Sequence, residues 1–166
     1  MKKIAIIMGS TSDLPVVEKT AEVLKKLGIP FESHVYSAHR TPKEAGEFAE
    51  SARKNGFGVI IAAAGMAAHL AGAIAAKTTL PVIGIPCKGG ILDGLDALLS
   101  TVQMPKGIPV ATVAVGGGEN AAFLAAQILA VEDAALAEKL SALRESGKIA
   151  ALKSDAEIYS ELNGKN

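Results

Sequence analysis

Lys3-Ile4-Ala5-Ile6-Ile7-Met8-Gly9-Ser10-Thr11-Ser12-Asp13-Leu14 is the stretch that decides the fold of this chain. Its first half is a continuous apolar run of strand length. A strand without polar alternation is expected to be covered on both faces, which requires helices above and below the sheet. A glycine and a cluster of hydroxyls then break the run, and helical periodicity begins. Leu14, Val17, Ala21, Leu24 and Leu27 follow at three- or four-residue spacing and predict a helix over 13–27. Ser12 or Asp13 can cap its start, and Gly28 followed by Pro30 stops it. The unit is strand, hydroxyl-rich loop, helix.

The rest of the chain repeats that grammar. A second strand is predicted over 31–36 and a helix over 42–54, opened by Thr41-Pro42-Lys43-Glu44 in the form of a capping box and closed by Asn55-Gly56. Strands over 58–63, 81–85 and 109–115 alternate with helices over 67–76 and 95–100. Two further helices, over 120–130 and 133–146, complete the pattern. Residues from about 147 onward are polar and read as a loosely packed tail on a single domain covering 1–166. Strand–helix alternation at this spacing implies right-handed βαβ crossovers and an open parallel sheet. For five strands the expected architecture is an α/β, flavodoxin-like three-layer sandwich of order 2-1-3-4-5 with extra C-terminal helices. Ligands of such sheets bind beyond the carboxyl ends of the strands.

Composition narrows the function. Nearly half of the 166 residues are apolar, so a substantial core can be buried. Seventeen basic residues balance seventeen acidic ones, which argues against a nucleic-acid surface built on many phosphate-neutralising cations. The single cysteine, Cys87, excludes an internal disulfide and a cysteine-based metal cluster. The three histidines show no His-x-x-x-His spacing, so no metal site is expected. The apolar N-terminal run is too short for a secretory signal and is followed by Gly9-Ser10-Thr11. Residues 59–76 are apolar apart from His69, but they are mostly Ala and Gly and divide into strand, turn and helix. A soluble, cytoplasmic protein without membrane contact is expected.

Four loops carry the chemistry. Gly9-Ser10-Thr11-Ser12-Asp13 precedes a helix N-terminus, where backbone N–H groups, hydroxyls and the helix dipole favour a phosphate. Asp13 could accept from ribose hydroxyls; ordinary capping is the competing reading. It is neither a Walker A loop nor a dinucleotide fingerprint. Ser37-Ala38-His39-Arg40-Thr41 sets an imidazole able to donate and accept protons beside a permanently charged guanidinium suited to phosphate or carboxylate. Here the alternative is a surface pair. In Ala63-Ala64-Gly65-Met66-Ala67-Ala68-His69 small residues allow close backbone approach, and His69 reads either as packed or as supporting the site. Pro86-Cys87-Lys88-Gly89-Gly90-Ile91-Leu92-Asp93-Gly94 has the glycine content of a flap, and Cys87, with no base beside it in sequence, reads as an inert thiol. His34 is assigned no role.

Taken in order, Met8-Gly9-Ser10-Thr11-Ser12-Asp13, Ser37-Ala38-His39-Arg40-Thr41-Pro42, Ala64-Gly65-Met66-Ala67-Ala68-His69-Leu70 and Val102-Gln103-Met104-Pro105-Lys106-Gly107-Ile108-Pro109-Val110 form a set. With them the chain resembles the N5-carboxyaminoimidazole ribonucleotide mutases, the PurE family of de novo purine synthesis, over about 3–140. The resemblance implies a mutase that moves a carboxylate from the exocyclic nitrogen of the imidazole ribonucleotide to ring carbon 4, without ATP, metal or organic cofactor. The substrate loses CO2 in a closed site and carbon 4 attacks the trapped CO2. By the same resemblance His39 is the catalytic proton shuttle, Ser10, Ser12 and Arg40 hold the phosphate, and Asp13 holds the ribose. Ser37, Gly65, Met66, Ala67 and His69 line the base and CO2 pocket. The family is octameric, so a homo-octamer is implied.

Two departures stand out. Met66 occupies a position where the family usually has glycine, and it could narrow the pocket or deny the backbone a positive φ. Lys88-Gly89-Gly90 lacks the Ser or Thr that often follows there. A related branch carboxylates aminoimidazole ribonucleotide directly with CO2 and typically carries Ser-Ala-His-Lys; Arg40 and Ala67-Ala68-His69 favour the mutase. A non-enzymatic flavodoxin-type binding module is the remaining alternative, but the third and fourth loops hold no aromatic residues to sandwich a flavin.

Overall fold

The first strand forms where the apolar run predicts it. In the computed structural model, which describes residues 1–89 and 92–164, β1 is Lys3–Met8, and Ile4, Ala5, Ile6 and Ile7 are fully buried. It lies between β2 (Phe31–Val35) and β3 (Phe57–Ala64), pairing in parallel with both. β4 (Val82–Pro86) pairs with β3, and β5 (Ala111–Thr112) with β4, also in parallel. The order is β2-β1-β3-β4-β5, as the sequence predicts.

Alternate residues of the central strands face opposite helical layers. Ala5, Ile7, Ile60, Ala62 and Val82 share a core with Ala49 and Ala52 of α2 (Pro42–Ala52) and with Leu70, Ala71 and Ile74 of α3 (Leu70–Ala75). The other layer contains α1 (Leu14–Leu27), whose buried side chains include Val17, Leu24 and Leu27, and α5 (Gly118–Ala130). A buried hydrogen bond joins these two helices, from the Thr20 hydroxyl to the Gly118 carbonyl at 2.9 Å. Each buried Ile or Leu contributes on the order of 1.5–3 kcal/mol, so the central strands hold much of the stability. Gly84 of β4 is required by packing: a Cβ there would lie 2.3 Å from Cγ2 of Thr101, on α4 (Leu95–Val102). Gly28 ends α1 in the left-handed region at φ 73°, with its N–H directed to the carbonyls of Leu24 and Lys25.

Several local expectations are corrected. β5 covers two residues, Ala111 and Thr112, rather than 109–115; Pro109, with no N–H for a ladder, lies outside it. α3 begins at Leu70, so the 67–69 stretch is loop. The capping box at Thr41 and Glu44 does not form. The Thr41 hydroxyl is engaged instead with the backbone of Ser37, accepting from its N–H at 2.8 Å and donating to its carbonyl at 3.2 Å. Asp13 likewise makes no side-chain cap to α1; Ser10 caps the short 3-10 turn Thr11–Asp13 that leads into it.

The chain divides into two compact units, Met1–Leu129 and the segment from Ala130 onward. In the second, α6 runs from Ala134 to Asn163, so the region expected to be a loose tail is helical. The Asp133 carboxylate caps the start by accepting from the Leu136 N–H. Helix-forming residues and the pairs Glu145–Lys148 and Lys153–Glu157 carry the helix through Gly147, whose cost is about 1 kcal/mol relative to alanine. The last two residues of that tail, and Gly90 and Ile91 of the fourth loop, lie outside the described residues.

Candidate active site

The loops after β1, β2, β3 and β4 meet at the carboxyl ends of the strands around one cleft of about 460 Å³. Ser10, Ser12, Asp13, Ser37, His39, Arg40, Gly65, Met66 and Ala67 all line it. His69 joins them through the His39 ring. Every residue singled out from the sequence as a site residue is therefore brought into one place.

The first loop is shaped by its own hydroxyls. Ser10 Oγ accepts from the Ser12 N–H at 3.3 Å, and the Asp13 N–H donates to the Ser10 carbonyl at 3.1 Å. This tight turn leaves Ser12 exposed on the cleft while it buries Asp13, which retains 7% of its surface. Burial pushes the Asp13 carboxyl up, an effect partly offset by the backbone of Ser10 and the thiol of Cys87. Cys87, at the end of β4, is buried, and its thiol is pushed up to about 12 by burial and by the Asp13 carboxylate. It remains protonated at neutral pH and is not a nucleophile, as read from the sequence.

The second loop is a closed turn. Ser37 Oγ accepts from the N–H groups of both His39 (3.3 Å) and Arg40 (3.2 Å), fixing the backbone from which these two side chains project. Arg40 Nη2 donates to the Gly9 carbonyl at 2.9 Å, tying the loops after β1 and β2 together. Its other N–H groups remain available to an anion, since guanidinium carries five. His39 Nε2 lies 2.9 Å from His69 Nδ1, with the rings at 89°. One proton between the facing nitrogens makes a hydrogen bond, and the tautomer of each ring is thereby linked to that of the other. His69 sits just before α3 with its N–H donating to Ala67 O at 2.8 Å, rather than within the helix as expected.

The third loop settles one concern about Met66. Asp93 is the one non-glycine residue with positive φ among the described residues, so Met66 occupies an ordinary backbone conformation. Its side chain is 75% exposed and sits on the cleft lining. A Cβ on Gly65 would stand 3.8 Å from the Cys87 carbonyl and 4.0 Å from Asp13 Oδ1, which places the loops after β1, β3 and β4 side by side beneath the cleft.

Sequence reasoning missed part of the lining. Ala38, Ala64, Leu70, Lys88 and Gly89 also face the cleft. Lys88 had a usable signal, since it directly follows the carboxyl end of a central strand. His34, given no role, lies outside the cleft and stacks on Tyr36 at a centroid distance of 5.1 Å. Among the described residues no three His, Cys, Asp or Glu side chains converge as a metal-ligand set.

Residues 3–149 match the family model for AIR carboxylase. The N5-carboxyaminoimidazole ribonucleotide mutase of Haemophilus influenzae is 55% identical over 146 residues, covering 87% of this chain and 89% of that protein. The phosphoribosylaminoimidazole carboxylase of Candida albicans is 58% identical over 130 residues, but these cover 23% of that longer protein and 78% of this chain. Among solved structures, PurE of Treponema denticola superposes with a TM-score of 0.80 at 29% identity, over 96% of this chain and 98% of that one.

Proposed function

Because the chain belongs to the AIR carboxylase family, we propose that it converts N5-carboxyaminoimidazole ribonucleotide into 4-carboxy-5-aminoimidazole ribonucleotide, as a mutase of purine biosynthesis. The chain matches the H. influenzae mutase along nearly the full length of both, whereas it corresponds to about a quarter of the fungal carboxylase. The observation that supports a single-site mechanism is the facing pair His39 and His69, held on the same cleft as Arg40, Ser10 and Ser12.

Arg40, Ser10 and Ser12 bind the phosphate. Charge-assisted N–H donors from the guanidinium, together with hydroxyl donors at the start of the turn, suit a phosphomonoester. Asp13 accepts from a ribose hydroxyl at the cleft floor, and Ser37, Gly65, Met66, Ala67 and His69 enclose the base and the CO2. In the first half-reaction the bond between the exocyclic nitrogen and the carboxyl carbon breaks. Its electron pair stays on nitrogen, and protonated His39 supplies the proton there. In the second, carbon 4 attacks the retained CO2, forming the new carbon–carbon bond. Neutral His39 then removes the proton from carbon 4, restoring aromaticity and its own protonated state. His69, facing His39 Nε2, holds that ring and its tautomer. No redox change and no external base enter the balance.

We take the catalytic domain as 1–166; the family match over 3–149 supports its extension past Leu129. We further infer a cytoplasmic homo-octamer. The exposed Leu95, Leu99 and Val102 on α4 support assembly, being an apolar face that a partner would cover; a monomer by sedimentation would remove that reading. The activity is tested by offering the purified protein N5-carboxyaminoimidazole ribonucleotide without ATP, and separately aminoimidazole ribonucleotide with bicarbonate. Rapid conversion of the first alone is expected. Turnover that needs added CO2 would make the chain a direct carboxylase, and turnover of neither would overturn the reading.

A further inference from the structure

We propose that Lys88 is a substrate-binding residue that exchanges its partner Asp93 for the carboxylate being transferred. The inference rests on the mutase reading above and adds a residue and a specificity to it.

The argument begins with charge. Among the described residues lining the cleft, the acidic and basic side chains other than histidine are Asp13, Arg40 and Lys88. The substrate brings a phosphomonoester, about −1.5 to −2 near neutral pH, and a separate carboxylate. Arg40 serves one anion, and Asp13 repels both. A second anion needs a second cation, and Lys88 is the one the cleft offers.

Position then decides which anion each takes. In the sheet order β2-β1-β3-β4, Arg40 leaves from the end of β2 and Lys88 from the end of β4, so they enter from opposite flanks. With neighbouring strands about 4.8 Å apart, those two strands are separated by roughly 14 Å. Arg40 leans toward the first loop, where it meets Gly9 and the hydroxyls of Ser10 and Ser12. Lys88 stands on the flank of Gly65 and the loop after β3, where the base lies in the proposed pose. The phosphate and the carboxylate are at opposite ends of the substrate, and the two cations are at opposite ends of the cleft.

Lys88 is also held where it can be released. Its Nζ is 3.0 Å from Asp93 Oδ2, and both side chains are largely exposed. An ion pair between exposed groups contributes little, because water competes for both members. Asp93 holds a left-handed backbone with φ 48°, a conformation Asp tolerates better than most residues. An incoming carboxylate offers Lys88 the same chemistry in a cleft that excludes more water. Substrate and product both carry the carboxylate, so the contact favours each of them over the decarboxylated ribonucleotide.

The test compares binding of 4-carboxy-5-aminoimidazole ribonucleotide and of aminoimidazole ribonucleotide, by calorimetry, to the wild type and to Lys88→Met, Lys88→Arg and Asp93→Asn. Lys88→Met is expected to weaken the carboxylated ligand about tenfold and to change the other by less than about twofold. Lys88→Arg should recover most of the loss, and Asp93→Asn should tighten the carboxylated ligand by freeing the lysine. Equal weakening of both ligands would assign Lys88 to the phosphate and overturn the proposal, as would no change in either. If the wild type turns over N5-carboxyaminoimidazole ribonucleotide while Lys88→Met leaves the carboxylated ligand's affinity intact, Lys88 alone is misassigned. A wild type that turns over nothing counts against the mutase reading instead.

Discussion

Two concavities lie at opposite ends of the same sheet, and the larger one is the less interesting chemically. The groove around Thr78, Leu80, Pro81, Ile108 and Pro109, at the amino end of β4, has a volume of about 900 Å³. The cleft at the carboxyl ends has about half that. In the groove the charged side chains already have partners: Lys77 binds Glu50 at 3.0 Å, and Arg53 Nη2 binds the carbonyl and hydroxyl of Thr79 at 3.1 Å. In the cleft, by contrast, two imidazoles face each other and a guanidinium spans two loops with donors left over. An active site is recognised by converging, reassignable polar groups more than by volume. The contrast follows from strand direction. Parallel strands deliver the starts of α1 and α2 to one end, where the loops keep hydroxyls and N–H groups for a ligand. The other end receives helix C-termini and prolines.

The sharpest way to break this comparison is to change one side chain at each end. His39→Asn should reduce kcat by about 10²–10⁴-fold, the range for loss of a general acid–base, with nucleotide affinity and assembly retained. Arg53→Ala in the groove should leave kcat within about twofold. Steady-state turnover with a calorimetric affinity for each variant checks both. Equal losses at the two ends would mean that the groove takes part in the chemistry.

Next in size is Arg40→Ala. The guanidinium makes charge-assisted contacts, so its removal should raise KM for the ribonucleotide by about ten- to a hundredfold, with a smaller change in kcat. Lysine at this position should recover part of the affinity but not the fork that also reaches Gly9. An unchanged KM for Arg40→Ala would remove Arg40 from the phosphate site.

The two ends also differ in how far the sequence disclosed them. Periodicity and apolar runs were sufficient for the sheet order, because a buried parallel strand such as 3–8 has one physical reading. They failed at β5, which is a two-residue ladder rather than the strand expected over 109–115, and after Gly147, where polar composition hid a helix built on exposed pairs. At the site, residue type and order pointed to His39, Arg40 and the hydroxyl loop, since each precedes a helix start. Lys88 was passed over although it lies just beyond β4, because its place beside β3's loop exists only in the folded sheet. Thr41 and Asp13 carried real capping signatures, but Thr41 is engaged by the backbone of Ser37 in its own loop, and Asp13 by Ser10 and Cys87.

Asp13 gives the smallest expected effect and the one with a sign of its own. Burial raises its carboxyl above the ordinary value of 3.8, with Ser10 and Cys87 compensating only in part. A group whose folded pKa is raised binds protons more readily in the folded state than in the unfolded one. Stability then increases as pH falls through the folded value, and the ionised form weakens the fold at neutral pH. Asp13→Asn removes that charge and keeps an acceptor for the Ser10 N–H, so it should raise Tm at pH 7 by roughly 2–4 °C. It should also raise KM several-fold, if the carboxylate accepts from the ribose. The gain in Tm should shrink as the pH is lowered through the raised pKa, where the wild-type group protonates anyway. Thermal unfolding of both proteins from pH 7 to 4 measures this. A variant that is less stable at pH 7, or a gain that does not depend on pH, would show that Asp13 is not held charged at a cost to the fold. Nothing comparable is expected in the groove, whose charged pairs are exposed and already matched. A pH-dependent gain in Asp13→Asn would make the carboxyl-end cleft the place where this fold gives up stability for a ligand.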